Sequence, residues 1–201
     1  MKLVPRLLYH RSRLMVLFRQ HERAIADLRE VIGLEPSYAR AHSQLGFIYA
    51  NLGRHDAAIE AFRSALALDP ENAVLLFDLG YVLHLRKDYE QAIEAFEHAV
   101  LRNPRIDRAW YGLGLALSSI GRHEESAEAL ERASTLQPMN GLAWYELGMA
   151  YHTLKRRGKL DEVIAHLNRF DPKLTHHLMR ATDSNPLVPA TPAAPTSVES
   201  K

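Results

Sequence analysis

Residues 39–72 read ARAHSQLGFIYANLGRHDAAIEAFRSALALDPEN, and residues 73–106 read AVLLFDLGYVLHLRKDYEQAIEAFEHAVLRNPRI. Laid over each other, they place Leu45-Gly46 on Leu79-Gly80, Ala58 on Ala92, Phe62 on Phe96, Ala65 on Ala99 and Pro70 on Pro104. The match extends in both directions. Pro36, Pro70, Pro104, Pro138 and Pro172 follow one another at intervals of 34 residues. A fourth unit carries Trp110, Leu113-Gly114, Leu117, Ser126, Leu130 and Ala133, and a fifth opens with Trp144, Leu147-Gly148 and Tyr151. A fixed period of this length denotes a stack of supersecondary units rather than one globular core.

Within a unit the spacing is helical. Leu45 and Tyr49 lie four apart, as do Ala58 and Phe62, while Phe62 and Ala65 lie three apart. Each unit therefore holds two amphipathic helices, A and B. The turns between them are legible in Gly53-Arg54-His55-Asp56 and Gly121-Arg122-His123-Glu124, where glycine can adopt the left-handed conformation that ends a helix. The proline stops helix B, because it has no amide hydrogen and disfavours helix in the residue before it. Gly46, Gly80, Gly114 and Gly148 sit mid-helix, where glycine costs about 1 kcal/mol against alanine. Its recurrence predicts a close approach of helix A to helix B, with Ala58, Ala92 and Ser126 as the facing residues.

The phased positions resemble the tetratricopeptide repeat over about residues 5–172. The resemblance implies an all-α fold: a right-handed superhelical solenoid of about five helical hairpins with the A helices on its concave face. The units fall at about 5–38, 39–72, 73–106, 107–140 and 141–172, then a short capping helix to 182. Residues 183–201, rich in Pro and Ala, are expected to be a disordered tail. Both ends depart from the pattern. Arg11-Ser12 replaces Leu-Gly in the first unit, which suits a capping repeat with one solvent face. In the fifth, Lys155-Arg156-Arg157 looks inserted while Pro172 is back on period. Either helix B there is about three residues shorter, or Pro172 is not the equivalent stop.

Several function classes are disfavoured. A formal net charge of +1 over 201 residues gives no reason to expect nucleic acid. The absence of cysteine excludes disulfides and thiolate chemistry and fits a reducing, cytoplasmic setting. Residues 1–20 hold Lys2, Arg6, Arg11, Arg13 and Arg19 and no acid, but no apolar run long enough for a signal core or membrane span. The first helix of the array is the simplest reading there, with an interfacial membrane helix or a basic contact as alternatives. Eleven histidines invite a metal, yet His21, His55 and His123 recur a repeat apart and cannot converge on one ion. No phosphate-binding loop or nucleophile elbow occurs, so no enzyme, catalytic residue, cofactor or metal is expected.

Ligand contacts in proteins of this type come from the concave side of helix A. Carried onto this chain, the resemblance implies a partner-binding set of Arg40, Gln44, Phe47, Phe77, Asp78, Tyr81, Arg108, Tyr111, Leu115, Tyr145 and Met149. The Lys and Asn residues of the clamp that grips acidic chaperone tails are missing from these positions. A groove of aromatic and apolar side chains with Arg40, Arg108, Asp78 and Glu146 among them suits an amphipathic helix or an extended apolar peptide. The expectation is a protein-interaction scaffold. A chaperone for hydrophobic secreted or assembly clients, and a self-associating structural protein, are the alternatives.

Overall fold

The computed structural model describes residues 3–183 and consists, over that range, of eleven α-helices. Ten pair into hairpins: α1 (Leu3–Leu17) with α2 (His21–Leu34), α3 (Ala39–Asn51) with α4 (His55–Leu68), and α5 (Ala73–Leu85) with α6 (Tyr89–Arg102). Then come α7 (Asp107–Ser119) with α8 (His123–Leu136), α9 (Gly141–Thr153) with α10 (Arg157–Leu167), and finally α11 (Pro172–Ala181). The expected tail lies almost wholly outside the described residues.

The period is kept in the backbone itself. Residues 19, 53, 87, 121 and 155 all take positive φ, at 57°, 70°, 69°, 80° and 57°. Glycine occupies only Gly53 and Gly121; Arg19, Lys87 and Lys155 adopt the same left-handed turn at a steric cost of about 1 kcal/mol each. Lys155 is thus the turn residue of the fifth hairpin, not part of an insertion.

Helix α10 starts on period at Arg157 and spans 11 residues, where the other B helices span 14. Both alternatives left open by the sequence therefore hold. The helix is shorter, and it loses those residues at its C-terminal end. Pro172 does not follow a B helix as Pro36, Pro70, Pro104 and Pro138 do; it lies in the first turn of α11, behind an N-cap in which Asp171 accepts from the Leu174 amide at 2.9 Å.

Packing inside a hairpin differs in one respect from the sequence expectation. A Cβ on Gly46 would stand 2.8 Å from the Phe62 ring, and one on Gly80 would stand 2.8 Å from the Phe96 ring. On Gly114 it would meet Leu130 at 2.6 Å. The residue level with the glycine is thus the large one a turn beyond Ala58, Ala92 and Ser126. Those small residues are fully buried beside it, and the Ser126 hydroxyl donates to the Gly114 carbonyl at 2.8 Å. In the fifth hairpin Leu178 of α11, not a residue of α10, fills the notch at Gly148. The capping helix therefore seats itself on the same kind of site.

Trp110 and Trp144 do more than fill space. Each indole N–H donates at 2.9 Å to a proline carbonyl six residues earlier, Pro104 and Pro138, pinning the loop between hairpins. Ion pairs link successive hairpins across the turn edge, Glu22 with Arg54, Asp56 with Arg86 and Glu124 with Arg156, each at 2.6 Å. Exposed pairs of this kind contribute little singly.

Two stability measurements check this account. Ala92 is fully buried, so Ala92→Leu should overpack the crossing and cost about 1–3 kcal/mol in urea unfolding. An unchanged midpoint would contradict the close packing. Lys87→Gly should instead stabilise by roughly 0.5–1 kcal/mol, by relieving the positive φ of 69°; a destabilised variant would contradict that.

Candidate functional site: the inner face of the A helices

Successive A helices touch, α3 with α5, α5 with α7 and α7 with α9, while the B helices α2, α4, α6 and α8 each contact the A helices on either side of them. The A helices therefore form the inner, shorter side of the curve. All eleven candidate residues lie on four of them: Arg40, Gln44 and Phe47 on α3; Phe77, Asp78 and Tyr81 on α5; Arg108, Tyr111 and Leu115 on α7; Tyr145 and Met149 on α9. None is buried.

The rings divide into two kinds. Phe47 and Tyr81 are 48% and 50% exposed, large apolar surfaces that the described chain does not cover. Phe77, Tyr111, Tyr145 and Met149 are half-buried and pack partly against the core. The sequence reading kept groove residues separate from those holding the hairpins together. The structure shows these four shared between the two roles, because neighbouring A helices are close enough for side chains to bridge them.

The densest cluster is on α5 and α7. The Phe77 ring stacks on Tyr81 with centroids 6.4 Å apart, leans on Phe96 at 6.0 Å, and carries the Arg108 guanidinium 5.0 Å above its centroid. A cation over an aromatic face is held by the ring quadrupole. Arg108 is thereby laid across the inner face, beside Asp78.

Two carboxylates on this face are poorly solvated, which the sequence could not show. Asp78 is pushed up to about 6, because burial disfavours its charge more than Arg108 favours it. Burial also raises Glu146. The Tyr111 hydroxyl is raised by burial and then by the Glu146 charge. Glu146 forms no ion pair among the described residues. The inner face thus combines exposed rings with carboxylates lacking their full share of water.

Other polar features lie elsewhere. Tyr151 on α9 donates to Glu131 on α8, which also accepts from Lys159 at 2.9 Å; burial, and next this bond, push the tyrosine up to about 12. His21, His55 and His123 each open a B helix, a repeat apart. Among the described residues no group of three or more His, Cys, Asp or Glu side chains is placed to hold a metal ion.

Comparison with known proteins agrees with this geometry. Tetratricopeptide-repeat families match residues 37–100, and residues 77–134 and 116–169. The chain belongs to the tetratricopeptide repeat family. Among solved structures it is similar to MamA residues 41 to the end from Desulfovibrio magneticus RS-1, at 27% identity and a TM-score of 0.76 over 92% of this chain and 99% of that one. It is similar to YrrB, described as a TPR protein with an unusual peptide-binding site, at 24% identity and a TM-score of 0.76, covering 86% and 90% of the two chains. It also resembles PilF of Pseudomonas aeruginosa in fold, at 20% identity and a TM-score of 0.73 over 90% and 85%. Comparison with curated protein sequences yields no match.

The carboxylate on α5 gives a pH signature. The folded chain keeps the Asp78 proton up to about pH 6, whereas an unfolded chain releases it near 3.8. Stability should therefore fall as pH rises from about 4 to 6. Asp78→Asn should remove that slope and stabilise at pH 7 by about 1 kcal/mol, a value reduced for partial solvation. A variant that is less stable at pH 7 would show the carboxylate to be favourably paired.

Proposed function

We propose that this protein is a non-enzymatic interaction scaffold whose inner A-helix face holds a helix or an extended apolar peptide of a partner protein. The observation that carries this reading is the band of rings from Phe47 through Tyr81 to Tyr111 and Tyr145, about half open at Phe47 and Tyr81. Contiguous apolar surface on a monomer marks an interaction site more often than chance.

The charge pattern narrows the partner. Asp78 and Glu146 gain most from a ligand cation, since each is already partly stripped of water and Glu146 has no ion-pair partner among the described residues. An amphipathic segment with Lys or Arg at its polar border satisfies both the rings and the carboxylates. The likeness to YrrB, whose description names a peptide-binding site, is consistent with a peptide ligand. On the sequence reading we place this function in the cytoplasm. Affinity is expected on the order of micromolar, as for small interfaces.

The test is affinity capture from the source cell, followed by titration of the recovered partner against wild type and the double variant Tyr81→Ala with Tyr111→Ala. Loss of about 10-fold or more in affinity, with helicity and unfolding midpoint kept, is the expected result. Unchanged affinity in a folded double variant would place the binding surface elsewhere.

A further inference from the structure

Helix α1 carries apolar side chains on two opposite sides. Pro5, Leu8 and Ser12 are buried on one. On the other, Leu3, Leu7, Leu14 and Phe18 recur at helical spacing, with Leu17 at their edge, and all five are more than half exposed. Their register explains what kind of surface this is. Residues 34 and 68 after Leu7 are Ala41 and Leu75, and those after Leu14 are Ile48 and Val82. All four are buried. At Leu7 and Leu14 the first hairpin thus shows, uncovered, the face that later hairpins turn toward the unit before them, whereas the equivalents of Leu3, Leu17 and Phe18 are not buried in those units. A capping repeat would be expected to make that face polar. Here it is leucine.

The charges on α1 itself have one sign. Arg11 is taken by Asp27, with contacts of 2.8 and 2.6 Å. Arg6, Arg13 and Arg19 enter no ion pair among the described residues, and no acid occurs before Glu22. Arg6 and Arg13 lie one heptad apart, along one border of the apolar stripe.

Two occupants drawn from this same chain fit poorly. Pairing two such faces about a two-fold axis sets Arg6 and Arg13 against their own copies, with no acid on α1 to intervene. Stacking on the far end of a second array is blocked, because α11 already fills the notch at Gly148 and presents Lys173, His176, His177 and Arg180 outward. An anionic lipid surface accepts both features. Leucine and phenylalanine enter the boundary between headgroups and acyl chains, and arginines at the border reach the phosphates. No described helix is long and apolar enough to cross a membrane, so the contact would be peripheral. We propose that α1 docks this protein flat on an anionic membrane through Leu3, Leu7, Leu14 and Phe18, with Arg6, Arg13 and Arg19 at the headgroups. The rings on α3 to α9 take no part in this contact.

Co-sedimentation of the full chain with phosphatidylcholine vesicles, with and without phosphatidylglycerol, tests it. The wild type should bind the anionic vesicles, bind neutral ones at least about tenfold more weakly, and release in high salt. Leu7→Glu with Leu14→Glu, and separately Arg6→Glu with Arg13→Glu, should each lower anionic-vesicle binding about tenfold or more at unchanged helicity. Tyr81→Ala with Tyr111→Ala should bind like wild type, which separates this surface from the inner face. Failure of the wild type to bind anionic vesicles overturns the proposal, as does equal binding by the Leu7 and Leu14 double variant. Light scattering without lipid is the companion measurement: a mass that rises with concentration and reverts in that variant would assign the face to a second copy instead.

Discussion

Everything in this chain depends on one close contact repeated along it: a bulky side chain seated where a glycine leaves no Cβ. Phe62 sits on Gly46, Phe96 on Gly80, Leu130 on Gly114 and Leu178 on Gly148. With a Cβ position only 2.6–2.8 Å from the seated side chain, even alanine would force a shift. Ridge-into-groove packing normally keeps helix axes 8–10 Å apart. In the second, third and fourth hairpins the glycine brings helices A and B together, so each becomes a thin plate, and Gly148 seats the capping helix α11 in the same way. Plates of constant thickness can then stack in register. The A helices, which touch one another, form the inner side of the resulting curve.

Stacking with curvature has a consequence for surface chemistry. Core positions on helix A, such as Leu45, Leu79 and Leu113, face into the stack and are buried. Positions on the inner side are only half covered, because neighbouring A helices meet there along a narrow line. Rings at those positions are left with one face in the packing and one in solvent, as Phe77 and Tyr111 are. Carboxylates among such rings lose water without gaining a full complement of partners, which is the condition of Asp78 and Glu146. The same geometry that stabilises the array therefore produces a surface suited to another polypeptide.

Much of this was legible in the residues. The five prolines, the Leu-Gly pairs and the recurring Ala and Phe define the hairpins, and every B helix begins 34 residues after the last, at His21, His55, Tyr89, His123 and Arg157. What escaped is tertiary in origin. Periodicity says that Gly46 is close to something, but whether that is Ala58 or Phe62 depends on the level at which two helices cross. Pro172 falls on period, yet opens a helix instead of following one, because Asp171 caps it and Leu178 is needed at Gly148. Lys87 and Lys155 in left-handed turns carry no glycine signal, since the turn recurs on period whichever residue occupies it. The uncovered apolar side of α1 was hidden for a similar reason: Leu7 and Leu14 read as ordinary helix residues until the register shows what covers their equivalents.

The claim that independent plates stack in register has a direct test in a deletion of residues 73–106, one whole period. Joining Asn72 to Asp107 keeps the repeat in phase, because Asn72 and Ile106 hold the same position in their units. The shortened chain should fold, keep its helicity per residue, and unfold cooperatively at a lower midpoint, since a linear array loses one unit and one interface. A matched deletion of 17 residues, half a period, should not fold. Collapse of the 34-residue deletion into a non-cooperative state would contradict the account and point to a single core that needs all of its parts.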